Sequence, residues 1–292
     1  MNWHTALVLG RTSNLPTVWT NALAGVVLAG GAATDPRLPA LLVALSLCYL
    51  AGMFLNDAFD REFDARFRPE RPIPSGRSTA AAVFGWGFGM LAAGVALLGG
   101  VGLGAADGTG WRPLGAGLAL AVAIVFYDWH HKGNRLSPVV MGLCRALVYV
   151  SAGCAVSADA PQAALLLAAL LLWSYLVGLT YIARQEHLDR LANLWPLALL
   201  AAPLLWAVQA ALAFDAVTGL CALAFVAWTL RALWFLRRRD PGDVPRAVGA
   251  LLAGICLYDA LVLAAAGRPL VAFVALALFG LTRLAQRHVA PT

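Results

Sequence analysis

Apolar runs of about 20 residues recur along the chain, each broken off by a short polar segment. They fall at 15–33, 38–57, 79–101, 112–128, 136–156, 161–183, 192–212, 214–236 and 244–266, with a shorter run at 269–284. That length matches the hydrocarbon thickness of a bilayer crossed by a helix. A helix also satisfies its own backbone hydrogen bonds inside lipid, which a lone strand cannot do. The pattern predicts an all-α, polytopic membrane bundle forming one domain over 1–292. The first residues lack the charged, apolar and small-residue order of a cleaved signal, so 15–33 reads as a retained span.

Composition agrees. Hydrophobic residues make up 61% of the chain and charged ones 12%, with a mean hydropathy of +0.76. A soluble domain of this size is excluded. The charges that remain alternate between the two sets of loops. One set holds Arg11, the 61–77 cluster, Lys132, Arg135, Arg184, Arg190, the 231–246 cluster, Arg283 and Arg287. The other holds Arg37, Arg112 and Arg268 beside Asp35, Asp107, Asp159 and Asp215. The positive-inside rule places the first set in the cytoplasm, across a bacterial-type inner or plasma membrane. The net charge of +6 therefore reflects topology. Basic residues interleaved with aromatics for base stacking are missing, so no nucleic-acid partner is expected. The five cysteines lie within apolar runs without metal-ligand spacing and read as small buried hydrophobes.

Polar residues are scarce, and their clustering carries the chemistry. Asp57, Asp60 and Asp64 follow Asn56 at the end of the second run, spaced i, i+3, i+7. A helix stacks them on one face, where like charges demand a compensating cation. Hard oxygen ligands with room for water and phosphate suit Mg2+. The loop that follows bends at Pro69, Pro72, Pro74 and Gly76. Its Arg71 and Arg77 flank the turn and either fold over the aspartates to grip phosphate or meet anionic lipid heads; Arg61 and Arg68 read as topological anchors. A second cluster after the sixth run holds Arg184, Glu186, Asp189 and Arg190. Glu186 and Asp189, at i and i+3, can add oxygens to a second metal. Between the clusters, Lys132 is the only lysine, placed to approach a diphosphate, and His130 and His131 read as an interfacial belt. Arg145 lies inside the fifth run, a depth that marks a cavity or a partner. Asp259 in the ninth run reads as neutralised by Arg246 or Arg283.

These residues resemble the UbiA superfamily of intramembrane prenyltransferases. Asn56-Asp57-x-x-Asp60-x-x-x-Asp64 is similar to that family's first acidic motif. Arg71-Pro72-Ile73-Pro74-Ser75-Gly76 is similar to its Arg-Pro-Leu-Pro-Ser-Gly turn. The stretch from Tyr127 to Lys132 resembles its Tyr-x-x-x-Lys segment with one extra residue. The resemblance implies nine helices around a central cavity, here with a short tenth. It implies Mg2+ bound by Asp57, Asp60, Asp64, Glu186 and Asp189, with the first three catalytic. It further implies an isoprenyl diphosphate donor held by Asn56, Arg71, Lys132 and Arg184, and a lipophilic or aromatic acceptor within the membrane. Arg145 departs from the family pattern, and its depth in the span makes it the candidate acceptor-binding residue. The second motif departs from the family pattern, because Arg190 falls where the second aspartate belongs. That departure brings the chain closer to less characterised UbiA-like members, including EboC-like proteins. It also motivates a competing expectation: a non-catalytic lipid-diphosphate-binding or assembly protein on the same scaffold. A transporter would show broken half-helices and paired repeats, and neither is evident.

Overall fold

A computed structural model describes residues 1–104, 108–184, 195–213, 215–238 and 240–291. These form twelve α-helices and no strand. A short helix α1 (Trp3–Leu9) precedes α2 (Leu15–Leu28) and α3 (Leu38–Phe59), and a second short helix, α4 (Arg61–Phe67), follows α3 directly. The rest of the bundle is α5 (Ala80–Leu103), α6 (Arg112–His130), α7 (Ser137–Val156), α8 (Ala163–Ala183), α9 (Pro196–Ala213), α10 (Ala216–Arg238), α11 (Asp243–Ala265) and α12 (Pro269–Ala285). All ten apolar runs are thus helical at their expected places.

Seven of these helices, α3, α5, α6, α7, α8, α10 and α11, are long and apolar enough to cross a bilayer. The other three apolar runs form shorter helices. Helix α2 stops at Leu28 rather than near residue 33, because Gly30 turns the backbone to φ +85°. Helices α9 and α12 are short apolar helices. Each spanning helix packs on its successor, so the chain reverses at every connection. The C-terminal ends of α3, α6, α8 and α10 therefore share one end of the bundle with the N-terminal ends of α5, α7 and α11.

Two apolar cores meet along α2 and α7. One joins α2, α3, α5, α6 and α7; the other joins α8 through α12. Helix α11 is the axis of the second and is buried nearly throughout. Without a hydrophobic drive between helices in lipid, close packing relies on small residues. Gly25 shows this: an added Cβ would lie 2.5 Å from the Tyr149 carbonyl oxygen and 2.8 Å from Ala152. Buried phenols seal further contacts by donating to carbonyls, Tyr175 to Leu251 and Tyr258 to Ala168, both at 2.8 Å. Large apolar side chains such as Val122, Leu205, Leu220 and Leu223 cover the outer face, as lipid contact requires.

Candidate active site

The aspartate stripe sits where α3 gives way to α4. Asp60 joins the two helices without breaking the hydrogen-bond ladder: its N–H donates to Asn56 O at 3.0 Å, and Asp64 N–H donates to Asp60 O at 2.8 Å. The i, i+3, i+7 stacking therefore survives, although α4 is a separate helix that the apolar pattern did not predict. Asp57, Asp60 and Asp64 are all buried. The proline loop then doubles back. Gly76 takes the left-handed conformation at φ +74° that a side chain rarely tolerates, and Ser75 N–H closes onto Arg71 O at 3.0 Å. This brings Arg71 Nη1 to 2.7 Å from Asp57 Oδ1 and 3.5 Å from Asp64 Oδ2.

Three further basic side chains converge on the stripe. Arg11 Nη2 lies 3.0 Å from Asp57 Oδ1. Its backbone, at φ 40°, is the one non-glycine with positive φ among the described residues, and the Tyr49 hydroxyl donates to its carbonyl at 3.0 Å. Lys132 Nζ lies 2.9 Å from Asp60 Oδ2, and His131 Nε2 lies 3.3 Å from Asp60 Oδ1. The His131 ring stacks on Tyr127 at a centroid distance of 5.0 Å, and Lys132 sits 3.9 Å over the Phe63 ring. Asn56 links this cluster to α6: its Oδ1 accepts from Arg11 Nη2 at 3.4 Å, and its Nδ2 donates to Asp128 Oδ1 at 3.1 Å.

Burial and pairing pull the acids apart. Burial alone would raise the Asp60 carboxyl, but His131 and Lys132 outweigh it and hold it below its usual value. Burial wins at Asp64 and pushes it up, with Asp60 and Asp57 adding to the rise. Burial and the neighbouring Arg11 lower Arg71.

A cavity opens over this cluster, lined by Arg11, Asn56, Asp60, Arg71, His131, Lys132 and Arg184 among others. Tyr49, Met53, Tyr127, Met141 and Arg145 line it too, and the same five residues line a second cavity deeper among the helices. The walls of that inner chamber are mostly apolar: Val18, Leu45, Leu120, Ile124 and Val148. Arg145 thus stands at the junction of mouth and chamber. Its Nη1 donates to Asn21 Oδ1 at 3.1 Å, and its guanidinium lies 5.4 Å from the Tyr49 ring centre.

Several sequence expectations change here. His131 belongs to the Asp60 cluster rather than to an interfacial belt; exposed His130 and Trp129 fit that belt. The signal was available, since His131 stands four residues after Tyr127, the spacing of the family's Tyr-x-x-x-Lys. Arg11 and Asp128 were also missed as parts of the site. Asp259 is met not by Arg246 or Arg283 but by Asn21 Nδ2 at 2.7 Å and the Tyr149 hydroxyl. Arg246 instead pairs with Asp243 at 3.2 Å, and Arg283 with Gln286 at 2.6 Å. Arg77 stays exposed and bonds only within its own loop, to Ser75 and the Glu70 carbonyl. Arg184 lines the mouth while donating to Asn134 O at 2.6 Å, which pins the α6–α7 turn. Glu186 and Asp189 lie outside the described residues.

Among the described residues no three acidic, histidine or cysteine groups converge as a ready metal cage. All three aspartates are turned toward cations instead. The donor set nevertheless fits Mg2+ in kind, being all hard oxygen, and Asp64 Oδ1 is buried without a hydrogen-bond partner.

Comparison with known proteins agrees with this fold. Two curated relatives are similar over part of the chain, both named digeranylgeranylglyceryl phosphate synthase. The one from Methanothrix thermoacetophila is 35% identical over 32% of this chain and 36% of its own length. The one from Methanopyrus kandleri is 32% identical over 46% of each. The matched part thus spans less than half the length of these relatives. Among solved structures, an apo UbiA homolog from Aeropyrum pernix K1 superposes with a TM-score of 0.65, over 92% of this chain and 98% of that one. A structure concerned with digeranylgeranylglyceryl phosphate synthase in membranes gives 0.62 over 90% and 97%. At 15% identity each, these two speak for the fold alone. Residues 18–258 match the UbiA prenyltransferase family, and the chain belongs to that family.

Proposed function

We propose that this chain transfers an isoprenoid group from a prenyl diphosphate to a lipophilic acceptor inside the membrane, acting as a single domain with the aspartate end facing the cytoplasm. One observation carries the reading: a strongly charged mouth and an apolar chamber share a wall of five residues. That is the shape a donor with a polar head and a greasy tail requires. The diphosphate lies against Arg11, Arg71, Lys132 and Arg184, while the tail enters the chamber. The donor's allylic C–O bond breaks, its electron pair leaves with the diphosphate, and the acceptor's nucleophile bonds to the freed carbon. The basic side chains offset charge growing on the leaving group, and apolar walls keep water from trapping the carbocation. Asp57, Asp60 and Asp64, with Glu186 and Asp189, are the residues to hold Mg2+. When bound, Mg2+ supplies Lewis-acid neutralisation of the leaving diphosphate. Arg145 faces the acceptor. The relatives' names describe a product carrying a phosphate, and a guanidinium at the junction suits an acceptor with an anionic group.

The test is transfer from geranylgeranyl diphosphate by the purified chain in lipid. Asp57→Asn and Asp60→Asn each abolish it if the reading holds; undiminished turnover in both contradicts it. A second reading draws on the ion pairs themselves. Because Asp57 and Asp60 already meet cations, they brace a basic cradle that binds a lipid diphosphate without consuming it. That reading predicts donor binding indifferent to Mg2+ and no prenylated product.

A further inference from the structure

Among the described residues, Asp128 is the one carboxylate on the wall of the inner chamber, and it is held in an unusual way. Its Oδ1 accepts from Asn56 Nδ2 at 3.1 Å. Its Oδ2 is buried and has no hydrogen-bond partner. The residue as a whole is 4% exposed. Contrast Asp259, buried just as deeply in the bundle, where Asn21 and Tyr149 take one oxygen each. A buried oxygen left unpaired costs stability, and native chains rarely carry one without a use. The chamber it lines is mostly apolar, with Leu120, Ile124, Gly52 and Cys144 on its wall, so a carboxylate is out of keeping with its setting.

Its position suggests the use. Asn56 is the first residue of the aspartate motif, so one amide ties the Asp128 carboxylate to the diphosphate end of the site. Asp128 is also part of the chamber wall, where tail and acceptor meet. We propose that Asp128 is a catalytic residue that binds the acceptor's hydroxyl group through Oδ2 and takes its proton as the new bond forms. The acceptor class is therefore an alcohol, and the product an ether. The step balances: the donor C–O bond breaks and its electrons leave with the diphosphate, the acceptor oxygen bonds to the allylic carbon, and the hydroxyl proton passes to Asp128. Asn56 is a positioning residue for that carboxylate. This inference rests on the prenyl-transfer reading above.

The experiment uses the full chain in lipid nanodiscs, with geranylgeranyl diphosphate as donor. The acceptor probe is a glyceryl phosphate bearing one geranylgeranyl ether and one free hydroxyl, compared with its sulfhydryl analogue. A thiol gives up its proton far more readily than an alcohol and needs a base less. Asp128→Asn is expected to bind the donor as the unmodified chain does, while transfer to the hydroxyl probe falls about 100-fold or more. Transfer to the sulfhydryl probe falls much less, and Asp128→Glu recovers part of the hydroxyl activity. Equal losses with both probes mean that Asp128 only supports the fold, and overturn the proposal. So does undiminished hydroxyl transfer. Loss of donor binding as severe as in Asp57→Asn would move Asp128 into the diphosphate site and also overturn it. If the unmodified chain prenylates neither probe, the transfer reading itself fails; if Asp57→Asn is inactive while Asp128→Asn is not, only this inference does.

Discussion

The mouth of the cavity and the chamber behind it handle charge in opposite ways. In the mouth, acids meet bases directly: Asp57 faces Arg11 and Arg71, and Asp60 faces Lys132 and His131. In the chamber, neither Asp128 nor Arg145 has a direct ion pair among the described residues. Each is held instead by an asparagine amide, Asp128 by Asn56 and Arg145 by Asn21. Burial does not explain the difference, since Asp57, Asp60 and Asp64 are as buried as Asp128. The bases of the mouth line the open cavity, where an arriving diphosphate can take the place of the aspartates. An ion pair between the two chamber residues would lock both partners together. A neutral amide fixes the direction of each charge and leaves it available to a substrate.

That contrast can be broken from either side. The largest effect is expected in the mouth. Asp57→Asn or Asp60→Asn should lower transfer about 100- to 1,000-fold, and chelating divalent cations should do the same to the unmodified chain, both read by product formation. Next comes the chamber boundary. Arg145→Leu should raise the KM for an anionic acceptor about tenfold while leaving donor affinity unchanged, and an uncharged acceptor should show no such shift. Equal weakening of donor and acceptor would place Arg145 in the mouth after all. A smaller and different change is expected from the frame that holds both regions. In Gly25→Ala the new methyl meets the Tyr149 carbonyl, so stability should fall by about 1–3 kcal/mol. The readout is a lower melting temperature, with per-molecule activity kept in the folded fraction. The smallest effect belongs to Arg77→Ala, since Arg77 bonds only within its own loop. Its kinetics should match those of the unmodified chain.

The two regions were also unequally legible in the sequence. Lipid thickness imposes helix length, so ten apolar runs became ten helices with only the end of α2 misjudged. The mouth was readable where its residues are neighbours in sequence. Asn56 to Asp64 share one helical face, and Arg71 returns through a proline turn seven residues after Asp64. What escaped were pairings across the bundle. Asn56 meets Asp128 across 72 residues of chain, and Asn21 meets Asp259 across 238. Periodicity says which residues face inward but not which helix they will find. Arg11 was hidden for another reason: its reach depends on a strained backbone at φ 40°, which no local propensity announces. The chamber, built almost wholly from such distant contacts, was therefore the part that sequence left dark.

The central claim is that mouth and chamber form one transfer site. The most direct test gives the purified chain geranylgeranyl diphosphate and the hydroxyl acceptor in lipid, with Mg2+, and reads the prenylated lipid by mass spectrometry beside Asp57→Asn. The account predicts a product from the unmodified chain and its near disappearance in the variant. Donor that binds and is never consumed, or a product that the variant forms equally well, would contradict it.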